Sequence, residues 1–352
     1  MSFGIPVRNG LGIGLLPSTA VSTLRIGGRP ALILNFVNTT TLDSRIGFTR
    51  STTATFVGSN GLIQSAAINA PRFDYDPATL ASKGLMIEEA RRNLFLNSLI
   101  DGTSLSTQTV TVTAVSHTIS FYGTGTITLT GASVATVTGT GVYPNRRTLT
   151  FTPIAGALVC TVTGSVQYAQ LEAGAFATSF IPTAGATVNR AVDNAEMIGT
   201  NFSSWYNQTQ GTFVSSFDKY SVASRGGVLC AGNTAGATGT DIAIDGQNDA
   251  KVRAFIENLG AIEMLNATLA TYAANTPIKG AVAYATNSAV GAAAGALGTV
   301  DTSVVVPTLN ALQIGALRNS SSAAVAPLNG HIRSITYYNT RLPNATLQVL
   351  TT

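Results

Sequence analysis

Few residues of this chain have the types and spacing that chemistry requires. Glu88 and Glu89 are the only adjacent acidic pair. A retaining glycosidase needs two carboxyls about 5 Å apart on one sugar. Neighbours on a strand point to opposite faces, and Arg91 and Arg92 follow closely enough to neutralise both, so the pair reads as structural ion pairing. Glu257 and Glu263 flank the turn residues Asn258 to Gly260 and read as a solvated hairpin edge. Asp241, Asp245 and Asp249 gather around an Asp245-Gly246 turn. Carboxylates at that density suit Ca²⁺, but their spacing is not that of an EF-hand loop, and a hairpin turn with exposed acids is the plainer reading. Asp74 and Asp76 flank Tyr75 ahead of Pro77 and suit the capping of a tight turn. The two histidines, His117 and His331, have no serine and acid arranged as a triad. Cys160 and Cys230 sit in apolar alternating runs and read as buried free thiols, with no zinc-ligand spacing around them. Gly10-Leu11-Gly12-Ile13-Gly14 lacks the strand-then-helix setting of a phosphate loop. No residue is therefore nominated as catalytic, as a metal ligand or as a cofactor contact. Aromatic rings that sugars stack on are present, and Trp205, Tyr206 and Tyr220 are the candidate glycan contacts among them.

The elements that would position these residues are strands. Residues 107–182 carry the clearest period-two pattern: Val110, Val112 and Ala114, then Ile119 and Phe121, then Ile127 and Leu129, alternate with polar residues. Short strands at this spacing predict a small, jelly-roll-like antiparallel sandwich. Residues 210–352 predict a second all-β unit, with strands at Thr212–Phe217, Gly227–Ala231, Asp241–Ile244, Lys251–Ile256, Ala281–Tyr284, Ala311–Ile314 and His331–Tyr338. A short helix capped by Asn344 and facing inward through Leu347 and Leu350 closes it. Residues 46–106 are turn signals and strand fragments expected to pack on the first sandwich. Residues 183–209 read as a linker. Residues 1–45 are apolar pieces broken by Gly and Pro, which cannot bury Phe3, Ile5, Val7, Leu11 and Ile13 in a core of their own, so this extended segment is expected to attach to a partner.

Composition narrows the function classes. Of 352 residues only 10% are charged, while 45% are hydrophobic, which excludes a coiled coil and ordinary disorder. The net charge is +4 with no basic stripe, which argues against nucleic-acid binding. The uncharged stretch 280–300 is mostly Ala and Gly and reads as sheet, so no membrane insertion is expected. Sparse charge together with Thr- and Ala-faced strands points to contacts between copies of the chain.

The segments Phe48–Ser98 and Gln167–Gly185 resemble stretches common in tailed-bacteriophage and prophage virion proteins, the second as the end of a carbohydrate-binding-module-like sandwich. Gly211–Phe217 and Pro327–Thr351 resemble the first and last strands of a concanavalin A-like, laminin-G-like domain. The resemblance implies a structural, non-enzymatic component of a phage particle, displayed as a fibre, spike or decoration on tail or capsid. It further implies a homotrimer and contacts with other virion proteins, with residues 1–45 as the attachment end; host-surface glycan is the partner under the adhesin alternative. The alternatives are a glycan-binding adhesin and, behind it, a glycan hydrolase. Strands here that would form a lectin-like concave sheet are rich in Ala, Val and Thr and poor in aromatic and acidic residues.

Overall fold

The computed structural model describes residues 28–99, 101–234, 239–318 and 324–352. The five attachment residues Phe3, Ile5, Val7, Leu11 and Ile13 lie outside the described residues. The fold is all-β, with two short helices among the described residues, Thr200–Ser203 and Asn344–Thr351. Among the described residues no helix is long and apolar enough to cross a membrane.

Two large antiparallel sheets face each other. The first has eight strands, in the order Ala296–Leu297, Ser288–Ala293, Ile278–Ala285, Gln210–Lys219, Gly330–Tyr338, Ser82–Ile87 and Phe73–Tyr75, with Leu32–Asn35 also paired to Gly330–Tyr338. The second has seven, in the order Gly47–Thr49, Asn194–Ile198, Ala311–Ile314, Gly226–Gly232, Asp241–Gly246, Lys251–Asn258 and Ala261–Thr271. Alternate side chains of both sheets meet in one core, where Phe213, Phe217, Ile244, Ile256, Ile332 and Tyr337 are fully buried. The C-terminal helix begins at Asn344 with Pro343, not Asn344, in the cap position, and it buries Leu347 against the outer face of the first sheet.

The strand fragments between residues 46 and 106 do not chiefly serve the first sandwich. Gly47–Thr49 extends the second large sheet and Phe73–Tyr75 and Ser82–Ile87 extend the first. Residues 183–209 are not a linker either. Asn194–Ile198 is an interior strand of the second sheet, and Trp205 is buried in the large core, 7% exposed. Strand Leu32–Asn35, inside the segment expected to attach elsewhere, pairs with Gly330–Tyr338.

The small sandwich is thus inserted into the large one. It stacks a four-stranded sheet (Ala135–Thr138, Thr126–Gly131, Gly156–Thr163, Gln108–Val112) on a three-stranded sheet (Arg147–Phe151, His117–Tyr122, Gln167–Ala173). Ile119, Phe121, Ile127, Leu129, Leu158 and Leu171 fill its separate core. The chain enters it through Arg91–Asn93 and returns through Val188–Arg190, and these two strands pair with each other. Asn93 is buried at this neck. Its amide donates to the carbonyls of Ala169 and Ile181, and its oxygen accepts from the N–H groups of Phe95 and Leu171.

Candidate functional site

A cleft of about 540 Å³ opens between the two sandwiches. Asp74, Tyr75, Lys83 and Met86, on two neighbouring strands of the first large sheet, form one wall together with Tyr220. Thr118, Tyr122, Thr148 and Thr150, from the three-stranded sheet of the small sandwich, form the other with Arg146. Phe56 and Ile63 of the hairpin Ala54–Val57 and Ile63–Ala66 stand at one side, and Phe176 comes from the returning chain. The Tyr143 hydroxyl donates to the Gly61 carbonyl at 2.6 Å and ties that hairpin to the small sandwich. Phe56, Tyr75 and Tyr220 are partly exposed, whereas Tyr122 and Phe176 are buried behind them.

The floor beside Asp74 is charged. His331 is fully buried, with Nδ1 donating to Asp218 Oδ1 at 2.8 Å and Nε2 donating to Asp74 Oδ2 at 3.0 Å. Carboxylate oxygens only accept, so a ring serving both carries two N–H groups and a positive charge. Burial is the largest single influence and opposes that charge, but the attraction of Asp218 and the hydrogen bonds to Asp218 and Asp74 together outweigh it, and the histidine pKa rises above its ordinary value. Burial likewise works against the Asp218 carboxylate, and His331 reverses the effect and lowers its pKa.

Beneath the cleft lies a second buried network. Arg72 reaches Glu88 at 2.7 Å and also pairs with Asp193. Arg190 reaches Glu88 at 2.9 Å and Arg50 reaches Asp193 at 3.0 Å. All five side chains are at most 1% exposed. Glu88 also accepts from the Ser179 N–H and hydroxyl, so the network pins the returning chain to the large sandwich. Burial pushes the Glu88 carboxyl up, but Arg190, Arg72 and Ser179 together bring it down to about 2. Glu89 takes the local partner, Arg91.

The other sequence candidates disperse. Trp205 is buried and Tyr206 half-buried against the large core: Trp205 stacks edge-on to Tyr337 at 5.1 Å and Tyr206 lies 4.4 Å from Phe202. Of the three proposed glycan contacts only Tyr220 lines the cleft. Asp245 is committed to Arg225 and Arg253 at 2.7 and 2.6 Å, and Asp249 caps its own turn through the Lys251 N–H. Asp241 faces Glu257 across paired strands, where burial first and Glu257 second push its carboxyl up to about 7. Glu263 instead accepts the Val305 N–H. Among the described residues no group of three or more His, Cys, Asp or Glu side chains is placed to hold a metal ion. His117 is buried, with Nδ1 donating to the Val115 carbonyl. Both cysteines are buried free thiols, and burial pushes Cys160 up to about 12.

The cleft residues Phe56, Tyr75, Lys83, Arg146 and Phe176 carried no sequence signal. They are contributed by segments far apart in the chain, and only the insertion brings them together.

No family model and no curated protein matches this chain. Partial likenesses exist among solved structures. The CBM40 module of the Ruminococcus gnavus IT-sialidase, bound to a sialyllactose, is 15% identical with a TM-score of 0.38, over 43% of this chain and 88% of that one. The leech intramolecular trans-sialidase is 17% identical with a TM-score of 0.35, over 41% of this chain and 23% of that one. The Trypanosoma rangeli sialidase is 13% identical with a TM-score of 0.33, over 45% of this chain and 26% of that one. Likeness at this level carries no functional argument, and the all-β fold stands on the strand pairing itself.

Proposed function

We propose that this protein is a non-enzymatic glycan-binding protein whose cleft between the two sandwiches takes an oligosaccharide. The observation that carries the reading is the cleft's lining: partly exposed rings of Phe56, Tyr75 and Tyr220 beside the hydroxyls of Thr148 and Thr150. Sugars pair an apolar ring face with hydroxyls that need hydrogen bonds, and ligand sites combine apolar walls with a few placed polar groups. Support for a non-catalytic role comes from the acids and the histidine near the cleft. Glu88 is held between two arginines and both nitrogens of His331 are occupied, so neither is available for proton transfer.

Calorimetry against a panel of bacterial surface oligosaccharides tests the reading. Binding should be seen, and Tyr75→Ala should weaken it tenfold or more, about 1.4 kcal/mol, with melting temperature little changed. No binding across the panel, or shortening of a polysaccharide on incubation, overturns it.

The wider part of the reading is display on a bacteriophage particle as a homotrimeric fibre, spike or decoration that meets host-surface glycan. It draws on the resemblance in Phe48–Ser98 and Gln167–Gly185. Those segments supply Phe56, Tyr75, Lys83 and Phe176 to the cleft. Antibody labelling of purified virions should mark this protein, and light scattering should give three times the chain mass.

A further inference from the structure

We propose that the cleft selects an acidic oligosaccharide, one bearing carboxylate or sulfate groups; this rests on the glycan-binding reading above. The acidic and basic side chains lining the cleft are Asp74, Lys83 and Arg146. Asp74 is already served. Its Oδ1 accepts the Val57 N–H at 2.7 Å and its Oδ2 accepts from the buried His331 at 3.0 Å. Lys83, half-buried on the adjacent strand, makes a long ion pair with that same Oδ2 at 3.9 Å, too far for a hydrogen bond, and also acts electrostatically on Asp76. No hydrogen bond to its ammonium occurs among the described residues, so three N–H donors remain for a ligand.

On the facing wall Arg146 donates to the Thr178 carbonyl and the Ser120 hydroxyl, each at 2.7 Å. Both partners are neutral, and no carboxylate lies within ion-pair distance of this guanidinium among the described residues. The neighbouring Asp76 turns one carboxylate oxygen into its own loop, accepting from Ala78 and Thr79. The buried network below holds three arginines against two carboxylates. Asp74, Lys83 and Arg146 in the lining sum to one net positive charge, with Asp76 at the rim, and in a partly desolvated concavity an opposite charge placed on Lys83 and Arg146 is rewarded more than in open water.

Calorimetry at low salt should compare a hyaluronan oligosaccharide, a chondroitin sulfate oligosaccharide and a malto-oligosaccharide of equal length. The expected result is at least tenfold tighter binding of one or both acidic probes than of the neutral one, weakening with added salt. The carboxylate-only and sulfated probes tell which acid group is preferred. Lys83→Gln should abolish most of that preference, costing the acidic probes at least tenfold more affinity than the neutral one, with the melting temperature unchanged. Lys83→Arg should retain the preference. Equal or tighter binding of the neutral probe, or a preference that survives Lys83→Gln, overturns acidic selectivity and leaves glycan binding standing. Failure of all three probes, together with failure on the surface-oligosaccharide panel, overturns both.

Discussion

His331 is the single side chain on which the cleft floor turns. Asp74 arrives from residue 74, Asp218 from the central strand, and Lys83, Tyr220 and Arg333 complete the titratable and charged surroundings. Because its folded pKa lies above the ordinary 6.5, its contribution to stability is complete below that pH and is lost as pH rises through the folded value. Removing the ring leaves two buried carboxylates facing each other. His331→Gln should cost about 3–5 kcal/mol in acid-side buffer, and the gap to the natural protein should narrow as pH rises. Denaturant titrations at a series of pH values check this. The difference between the two proteins is the quantity to follow, since Lys219, which burial pushes down to about 8, changes both alike. Glu88 behaves in the opposite sense. Its stabilisation is present above the ordinary 4.5 and fades as pH falls toward about 2. Glu88→Gln should therefore destabilise at neutral pH by about 3–5 kcal/mol and make acid unfolding less steep. Ion pairing of Glu88 and Glu89 was legible in the sequence from the arginines close by, but strand alternation is not what parts them: both lie between strands Ser82–Ile87 and Arg91–Asn93, and only Glu89 takes one of those arginines. Glu88's partners, Arg72 and Arg190, were not legible, since they lie 16 and 102 residues away with no local pattern to mark them.

At the scale of elements, legibility followed strand length. Thr212–Phe217, Lys251–Ile256 and His331–Tyr338 alternate over six or more residues, and the structure forms each as part of a slightly longer strand. Gly47–Thr49, Phe73–Tyr75 and Leu32–Asn35 are three or four residues long. So short a strand shows that it is extended but does not show what it pairs with. Ser82–Ile87 depends on one glycine for its pairing. Gly84 has φ +107°, and a Cβ there would stand 2.4 Å from the Ile332 carbonyl oxygen. Gly84→Ala should cost about 1–3 kcal/mol from backbone strain alone, with further loss from forcing the strand away from Gly330–Tyr338. That strand carries Lys83 and its hairpin partner carries Asp74 and Tyr75, so ligand affinity should fall with stability. Urea unfolding and calorimetry on the same variant would show whether the two losses travel together.

At the scale of the molecule, the order of domains along the chain is not their order in space. Reading residues 210–352 as a complete sandwich follows from their many alternating strands. It misses that a sheet needs neighbours on both sides of its interior strands. Without residues 28–99 and 183–209, Ala311–Ile314 loses Asn194–Ile198, and Gly330–Tyr338 loses both Leu32–Asn35 and Ser82–Ile87. Core residues Leu312, Ile314, Ile332, Ile335 and Tyr337 lie on those abandoned strands. Trp205, Phe202, Leu34 and Phe36, which pack in the same core, leave with the missing segments. Each large side chain so uncovered forgoes roughly 1.5–3 kcal/mol, and a domain's whole margin is about 5–15 kcal/mol. A fragment of residues 210–352 should therefore be insoluble or lack cooperative unfolding. The insert is different: it has its own core, and its ends are brought together by the paired strands Arg91–Asn93 and Val188–Arg190. A fragment of residues 90–191 should fold alone and unfold in one transition. Circular dichroism melts of the two fragments decide the matter. A 210–352 fragment that melts cooperatively near the temperature of the full chain would mean that the N-terminal strands decorate a finished sandwich rather than complete it.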